Sequence, residues 1–224
     1  MENVRSERVK KKLILMGTAG VLVMTAVIGG TMAGFNTSTE SKGVSNITVK
    51  ELGITLNGQN AGKELDSGSF DNIVAVPGGE VEVPYSITNN VDGGYELYTR
   101  VTIYKKWEEA DLDQDMIHLY VKEGDEDKEL LAGTTVNDWI VWYVDGEQVI
   151  MYYTKPLASG ATTSELISSI RFDDQMGNAY AGKKVSLAFE ADAVQTIAAE
   201  DSIPSEWGVY PVIEADGTIS AIEE

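Results

Sequence analysis

Apolar and polar residues alternate with a period of two over most of the chain. This spacing is typical of β-strands that bury one face and expose the other. Residues 96–107 show it most clearly, with four side chains expected on one buried face, namely Leu97, Thr99, Val101 and Ile103. The sequence therefore predicts a protein built mainly from strands.

The same alternation, bounded by turn-forming residues, predicts about eight strands. Nine segments carry this pattern, namely residues 46–56, 73–76, 80–87, 96–107, 116–122, 139–144, 149–153, 166–172 and 184–194. Pro84 predicts an edge strand or an interrupted strand, because proline cannot donate a ladder hydrogen bond. Residues 57–72 are rich in glycine and polar residues and are expected to form a loop. Many strands joined by turn-rich loops predict an all-β fold, a jelly-roll-like antiparallel β-sandwich.

The clearest local prediction is a hairpin. Asp145-Gly146 lies between two runs of β-branched and aromatic residues, 139–144 and 149–153, and this dipeptide is typical of a tight hairpin turn. Residues 195–208 are expected to form one or two helical turns. The acidic residues 211–224 are expected to form a loosely held C-terminal tail.

The N-terminal segment has a different pattern. Five basic residues precede an apolar stretch at 13–30, and four small residues lie at its exit, namely Gly29, Gly30, Ala33 and Gly34. This order predicts a signal peptide, a hydrophobic helix within residues 1–34. Cleavage is expected after Ala33 or after Gly34, and the second cut would make Phe35 the new N-terminus. An uncleaved membrane anchor stays open, because the stretch is long enough to span a bilayer.

Cleavage would leave about 190 residues, a length that suits one domain with its own core. We assign residues 35–45 to a flexible N-terminal arm, 46–210 to the sandwich and 211–224 to the tail. The chain has no cysteine. In an exported protein this favours a Gram-positive bacterial route over a disulfide-forming one, and it excludes thiol catalysis.

The net charge of the chain is −19. Residues 1–34 hold five basic and two acidic residues, which leaves 12 basic and 34 acidic residues for the remainder, a net charge of −22. Such a surface repels nucleic acid and anionic lipid. The charge therefore suits a soluble extracellular protein that binds no nucleic acid, or one that screens its charge with divalent cations. The signal peptide adds the expectation that the protein meets the membrane only as a precursor.

Three aspartates, Asp111, Asp113 and Asp115, have the alternating spacing that opens a calcium loop. That loop also needs glycine at its sixth position and glutamate at its twelfth, where this chain has Met116 and Lys122. We therefore predict a solvated acidic turn and no metal or other cofactor. Irregular calcium binding at the acidic loops stays open as an alternative.

His118 is the chain's one histidine, so two-histidine metal sites are excluded. Between Ile117 and Leu119 it is expected to be a half-exposed strand residue. The sequence also has no zinc motif, phosphate loop or nucleophile–base pattern, and it predicts a protein that is not an enzyme.

Five hairpin aromatics have two interpretations: Trp139, Trp142, Tyr143, Tyr152 and Tyr153. They could form a platform for sugar rings on a cell-surface binding module. Aromatic residues that alternate across a hairpin more often form cross-strand pairs that face a core, and we favour that interpretation.

Short motifs along most of the chain resemble the TasA/camelysin family of secreted Gram-positive proteins. The similar segments are residues 29–36, 46–56, 76–81, 87–90, 139–153, 189–195 and 207–209. The resemblance implies processing by a SipW-type signal peptidase. It also implies a jelly-roll subunit of extracellular biofilm fibres, whose partner is another copy or a related matrix subunit.

In such an assembly, the freed N-terminal arm of one subunit adds a strand to the sheet of the next. The arm residues implied here are Phe35, Asn36, Thr37, Ser38, Thr39, Glu40 and Ser41. An exposed sheet edge has unpaired N–H and C=O groups that such an arm can satisfy. The alternatives are an arm that is only a linker, and a binding module for carbohydrate or another ligand.

Overall fold

The computed structural model describes residues 53–58, 67–90, 94–109 and 112–224. Within these residues the chain forms thirteen strands, one α-helix and a 3-10 turn at Gln114–Met116. The strands are β1 (Ile54–Gly58), β2 (Ser67–Val74), β3 (Glu80–Asn89), β4 (Leu97–Trp107), β5 (Ile117–Glu123), β6 (Glu126–Glu129), β7 (Thr134–Val136), β8 (Trp139–Val144), β9 (Gln148–Tyr153), β10 (Ile167–Phe172), β11 (Lys184–Gln195), β12 (Tyr210–Ile213) and β13 (Ile219–Glu223). The helix is α1 (Ala199–Trp207).

Eleven of these strands form two sheets that pack face to face. The first sheet has the order β1-β3-β10-β5-β6 and the second has the order β2-β11-β4-β9-β8-β7. All neighbouring strands pair antiparallel. The first five strands alternate between the sheets, so the chain crosses repeatedly from one layer to the other, as in a jelly roll. The predicted jelly-roll-like antiparallel sandwich is confirmed, while its N-terminal helix lies outside the described residues.

The main core lies between the two sheets. Tyr85 of β3 stacks on Phe189 of β11 with ring centroids 4.1 Å apart, so the two layers touch at the centre. The predicted inward face of β4 is confirmed, because four alternate side chains have no exposed surface: Leu97, Thr99, Val101 and Ile103. Burial of apolar surface, at about 25 cal/mol per Å², is the main stabilisation of this arrangement.

Pro84 lies in a strand that pairs on both sides, so it does not mark an edge strand. The structure instead has the interruption that was the other predicted alternative. The register between β3 and β10 shifts between Ile167 and Ser169, where Val83 and Pro84 lie opposite a single residue. This bulge takes the proline out of the ladder, since a residue without an N–H cannot pair there. The described pairing with β1 ends one residue later, at Tyr85.

The predicted loop at residues 57–72 is wrong at both ends. β1 continues to Gly58, and β2 already begins at Ser67 and pairs with β11. Strand pairing is made by backbone groups and depends on the neighbouring strand. A polar, glycine-containing composition is therefore a poor guide to where an edge strand begins.

The predicted loose tail at residues 211–224 is wrong, and so is the boundary at residue 210. β12 and β13 form a hairpin, and Ile219 in β13 is only 1% exposed. Together with α1, which confirms the helical turns expected within 195–208, the hairpin covers part of the outer face of the second sheet. This segment belongs to the same compact unit as the sandwich, residues 51–224.

A second apolar cluster explains why the C-terminal segment is held. Its buried members come from the outer face of the second sheet and from the cover, and they are Tyr98, Ile140, Tyr152, Val194, Ala199, Ile203, Trp207, Val209 and Ile219. Strand alternation places the first four on the face of the sheet that points away from the main core. Apolar side chains in that position need a cover, and the last 26 residues provide it.

Candidate functional site

The predicted cleavage residues Ala33, Gly34 and Phe35 lie outside the described residues, and cleavage there stays a prediction. The same holds for the other arm residues, Asn36, Thr37, Ser38, Thr39, Glu40 and Ser41. In the part of the chain that the structure describes, no helix has the length and apolar character needed to cross a membrane.

The predicted arm leads toward β1, which forms one edge of the first sheet. β1 pairs with β3 in a regular register from Ile54 opposite Asn89 to Gly58 opposite Tyr85. Two of its side chains face the core, Ile54 at 5% and Leu56 at 2% exposure. The strand is therefore anchored by burial, although β3 is the one strand that pairs with it among the residues that the structure describes.

The other side of β1 has backbone groups without a strand partner among the described residues. The N–H of Asn90 donates to the C=O of Gly53 at 2.9 Å, so Gly53 faces β3. In an antiparallel strand, the N–H and C=O groups of successive residues point to alternate sides of the strand. The N–H and C=O groups of Ile54, Leu56 and Gly58 therefore point away from β3.

Two further contacts fix the position of β1. The side-chain amide of Asn57 donates to the Thr88 hydroxyl at 2.7 Å on the outer face of the sheet. At Gly58, a Cβ atom would lie 2.3 Å from the ring of Tyr85, so only glycine fits against that ring. Gly58, the last described residue of β1, is thereby held close against Tyr85.

The acidic loops use their carboxylates to cap turns. Asp113 accepts from the N–H of Asp115 at 3.0 Å, and Asp173 accepts from that of Gln175 at 2.7 Å. Asp145 accepts from the N–H groups of two residues, Glu147 at 2.8 Å and Gln148 at 2.7 Å. Partial burial opposes ionisation of Asp145, yet these bonds outweigh it and lower its pKa.

The calcium alternative gains no support from this arrangement. Asp111 lies outside the described residues, while Asp113 serves its own turn. Among residues 53–58, 67–90, 94–109 and 112–224, no group of three or more histidine or acidic side chains is arranged to hold a metal ion.

His118 confirms its prediction as a half-exposed strand residue, with 30% of its side chain exposed on β5. Its Nδ1 atom lies 2.7 Å from Glu129 of β6, and its Nε2 atom lies 3.4 Å from Asp173 after β10. Neither contact was predicted: Glu129 lies in the strand that follows β5 and pairs with it, while Asp173 comes close only because β10 pairs with β5. The histidine thereby ties the edge strand β6 to the sheet.

Arg171, in β10, contacts residues of β3, β5 and β6 on the outer face of the first sheet. Its guanidinium donates to Glu80 at 3.1 Å and to Asp127, and it lies 4.2 Å above the ring of Tyr120. The pKa of Glu80 is lowered first by the hydroxyl of Ser169, which donates at 2.6 Å, and then by Arg171. These contacts hold β3, β10, β5 and β6 together, so the charged residues involved have a structural role.

The core interpretation of the hairpin aromatics is confirmed for three of the five residues and is wrong for Tyr143. Trp139, Tyr152 and Tyr153 are at most 7% exposed and are therefore unavailable as a sugar platform. Trp142 meets Tyr152 edge-on, while Tyr143 is 38% exposed. The rings of Trp142 and Tyr143 are inclined by 40° with centroids 6.2 Å apart, so they form no shared flat surface for a sugar ring.

Lys105 is a buried charge that the sequence analysis missed. It is 6% exposed, and its Nζ atom donates to the C=O of Ile117 at 2.7 Å, which links the two sheets. Burial lowers its pKa, and the nearby Asp115 and Asp145 oppose that shift only in part. The alternation of β4 contained the necessary information, because Lys105 is the next odd-numbered residue after Ile103.

We expect the stability of the wild type, relative to the Lys105→Met variant, to rise with pH between the lowered native pKa of Lys105 and about pH 10.4, the ordinary lysine pKa. The native pKa lies below the unfolded one, so the unfolded chain binds more protons in that window and stability increases with pH. Urea unfolding at several pH values measures this. Lys106→Met, at an exposed position on the same strand, is the control and should run parallel to the wild type. A Lys105→Met difference that is flat with pH would contradict the burial cost.

Comparisons with known proteins add little. No protein-family model matches the sequence, and no curated protein matches it either. A solved structure of AvmM, described as catalysing macrocyclization in alchivemycin A biosynthesis, is similar at 12% identity with a TM-score of 0.20. The match covers 56% of this chain and 64% of that chain, and a likeness at this level carries no argument about fold or function.

Proposed function

We propose that this chain is a secreted structural subunit of extracellular biofilm fibres of a Gram-positive bacterium, and that it has no enzymatic activity. In this proposal a SipW-type signal peptidase removes residues 1–34, and the membrane holds the protein only as a precursor. The released arm, residues 35–45, then adds a strand to a second copy or to a related matrix subunit.

One observation carries the proposal: the first described strand, β1, lies at a sheet edge and has backbone groups that point away from its neighbour. An arm that precedes an edge strand can leave the domain without unfolding any part of the core. The arm contains no proline in residues 35–45, so every residue in it can donate a backbone hydrogen bond. The resemblance to the TasA/camelysin family supports the same assembly.

Strand donation from one subunit to the next produces a head-to-tail contact. Such a contact joins two different surfaces, so it grows into a filament unless its rotation closes a ring. The net charge of −22 beyond residue 34 makes subunits repel one another. Added salt screens this repulsion, and fibre growth is therefore expected to be faster at higher ionic strength.

Deletion of residues 35–45 from the processed protein is expected to leave a folded monomer that forms no fibres. A finer variant, Thr37→Pro with Thr39→Pro, keeps the arm's length and charge but removes two backbone donors, and the same loss is expected. Thr37→Ser with Thr39→Ser is the matched control and should assemble normally. Electron microscopy and light scattering report fibres, while circular dichroism verifies folding. Undiminished fibres from the deletion variant would refute the proposal.

A further inference from the structure

We infer that the acceptor for the donated strand is the free edge of β1, and that its occupant is the arm, residues 35–45, of a second copy of this chain. The inference rests on the proposed function and adds the receiving surface to it. It comes from a comparison of the sheet edges within the described residues.

Two edges lie at one side of the sandwich, β6 and β7. All four residues of β6 are charged, Glu126, Asp127, Lys128 and Glu129, and charged side chains discourage the addition of another strand. β7 is only three residues long, Thr134–Val136, and offers little backbone to pair with. Short and charged edges are two devices by which sheets avoid unwanted pairing.

The remaining edges carry other obstacles. In β2 the register to β11 shifts between Val185 and Leu187, where two residues of β2 lie opposite one of β11. Such a bulge twists an edge and interrupts the row of groups that a new strand would use. β12 has Pro211 at its second position, which lacks an N–H, and β13 lies against β8.

β1 carries none of these obstacles. Its five residues, Ile54–Gly58, include no charged residue and no proline, and its register to β3 has no shift. Burial of Ile54 and Leu56 keeps the strand in place, so its outward N–H and C=O groups are preorganised for pairing. A sixth strand added there would also give the five-stranded first sheet the strand number of the second sheet.

The geometry of the added strand can be tested by disulfide formation, because the chain has no cysteine of its own. One processed chain carries a single cysteine in the arm, as Thr37→Cys, Ser38→Cys or Thr39→Cys. A second chain lacks residues 35–45 and carries a single cysteine on one edge. These acceptors are Thr55→Cys for β1, Ser69→Cys for β2 and Thr135→Cys for β7. The acceptor chain is 11 residues shorter than the donor chain, so mass separates the arm–edge heterodimer from arm–arm and edge–edge homodimers, and only the heterodimer is counted.

We expect the arm to cross-link to Thr55→Cys at least tenfold more than to either control edge. Residues directly opposite on paired strands have Cβ atoms about 4.5–5.5 Å apart, close to the reach of a disulfide. Adjacent arm positions face opposite sides of a strand, so the Ser38→Cys yield should differ from the yields of both Thr37→Cys and Thr39→Cys.

The outcomes separate this inference from the proposed function. Fibres of the full-length processed chain together with preferential cross-linking at Ser69→Cys or Thr135→Cys would overturn the β1 acceptor and leave strand donation standing. Equal yields at all three edges would also overturn it. A processed chain that stays monomeric in the fibre assay would overturn assembly with a second copy, and the β1 acceptor with it.

Discussion

Replacing Phe189 with alanine should lower the free energy of unfolding by about 3–5 kcal/mol. The side chain is 1% exposed and stacks on Tyr85 at 4.1 Å, at the contact between the two sheets. The change removes buried apolar surface, leaves a cavity and separates an aromatic pair, which is worth a further fraction of a kcal/mol. Urea unfolding followed by tryptophan fluorescence measures the loss.

Tyr210→Ala is the control for the Phe189 variant. This substitution also removes an aromatic ring from a strand, but Tyr210 is 58% exposed. The free energy of unfolding is therefore expected to change by no more than about 0.5 kcal/mol. Equal losses for the two variants would contradict the placement of Phe189 in the main core.

Trp207→Ala is expected to have the second largest effect, also about 3–5 kcal/mol. Trp207 is 9% exposed at the end of α1, with its ring 5.6 Å from that of Tyr152 and 5.5 Å from the guanidinium of Arg100. Arg100 is itself held by Asp192, whose carboxylate accepts from Nη2 at 2.6 Å. The tryptophan therefore joins the helix to the outer face of the second sheet.

Loss of this anchor should first loosen the C-terminal cover. Hydrogen exchange of the backbone in β12 and β13 should become faster in Trp207→Ala, while that of β3 and β10 changes less. Glu206→Ala removes an exposed side chain next to it on α1 and is the matched control. A Trp207→Ala protein as stable as this control would mean that residues 211–224 are the loose tail that the sequence suggested.

Sequence patterns predicted best where strand alternation and turn chemistry agree. The hairpin of β8 and β9, the inward face of β4, and strands β5, β10 and β11 all follow from the period of two and from flanking turns. These features depend on residues close together in the chain. The prediction stopped at Ile103 in β4, although the same period continues to Lys105 and would have indicated a buried charge.

The predictions failed where a distant part of the chain supplies the stabilisation. Residues 211–224 read as an acidic tail because they hold four acidic residues and no basic one, yet Ile219 and the hairpin are held by the outer face of β4, β8 and β9. In the same way, β2 is a strand because β11 lies beside it. Neither relation leaves a local pattern in the sequence.

The sequence by itself determined that this is an all-β chain, because the period of two follows from backbone geometry and can be recognised in each strand separately. Tertiary structure alone decided which strands lie at the edges, which carboxylates contact Arg171, and that the last residues cover a sheet. Those properties depend on contacts between segments far apart in the chain. The free edge of β1 is of this second kind, since a strand becomes an edge only through the position of its neighbours.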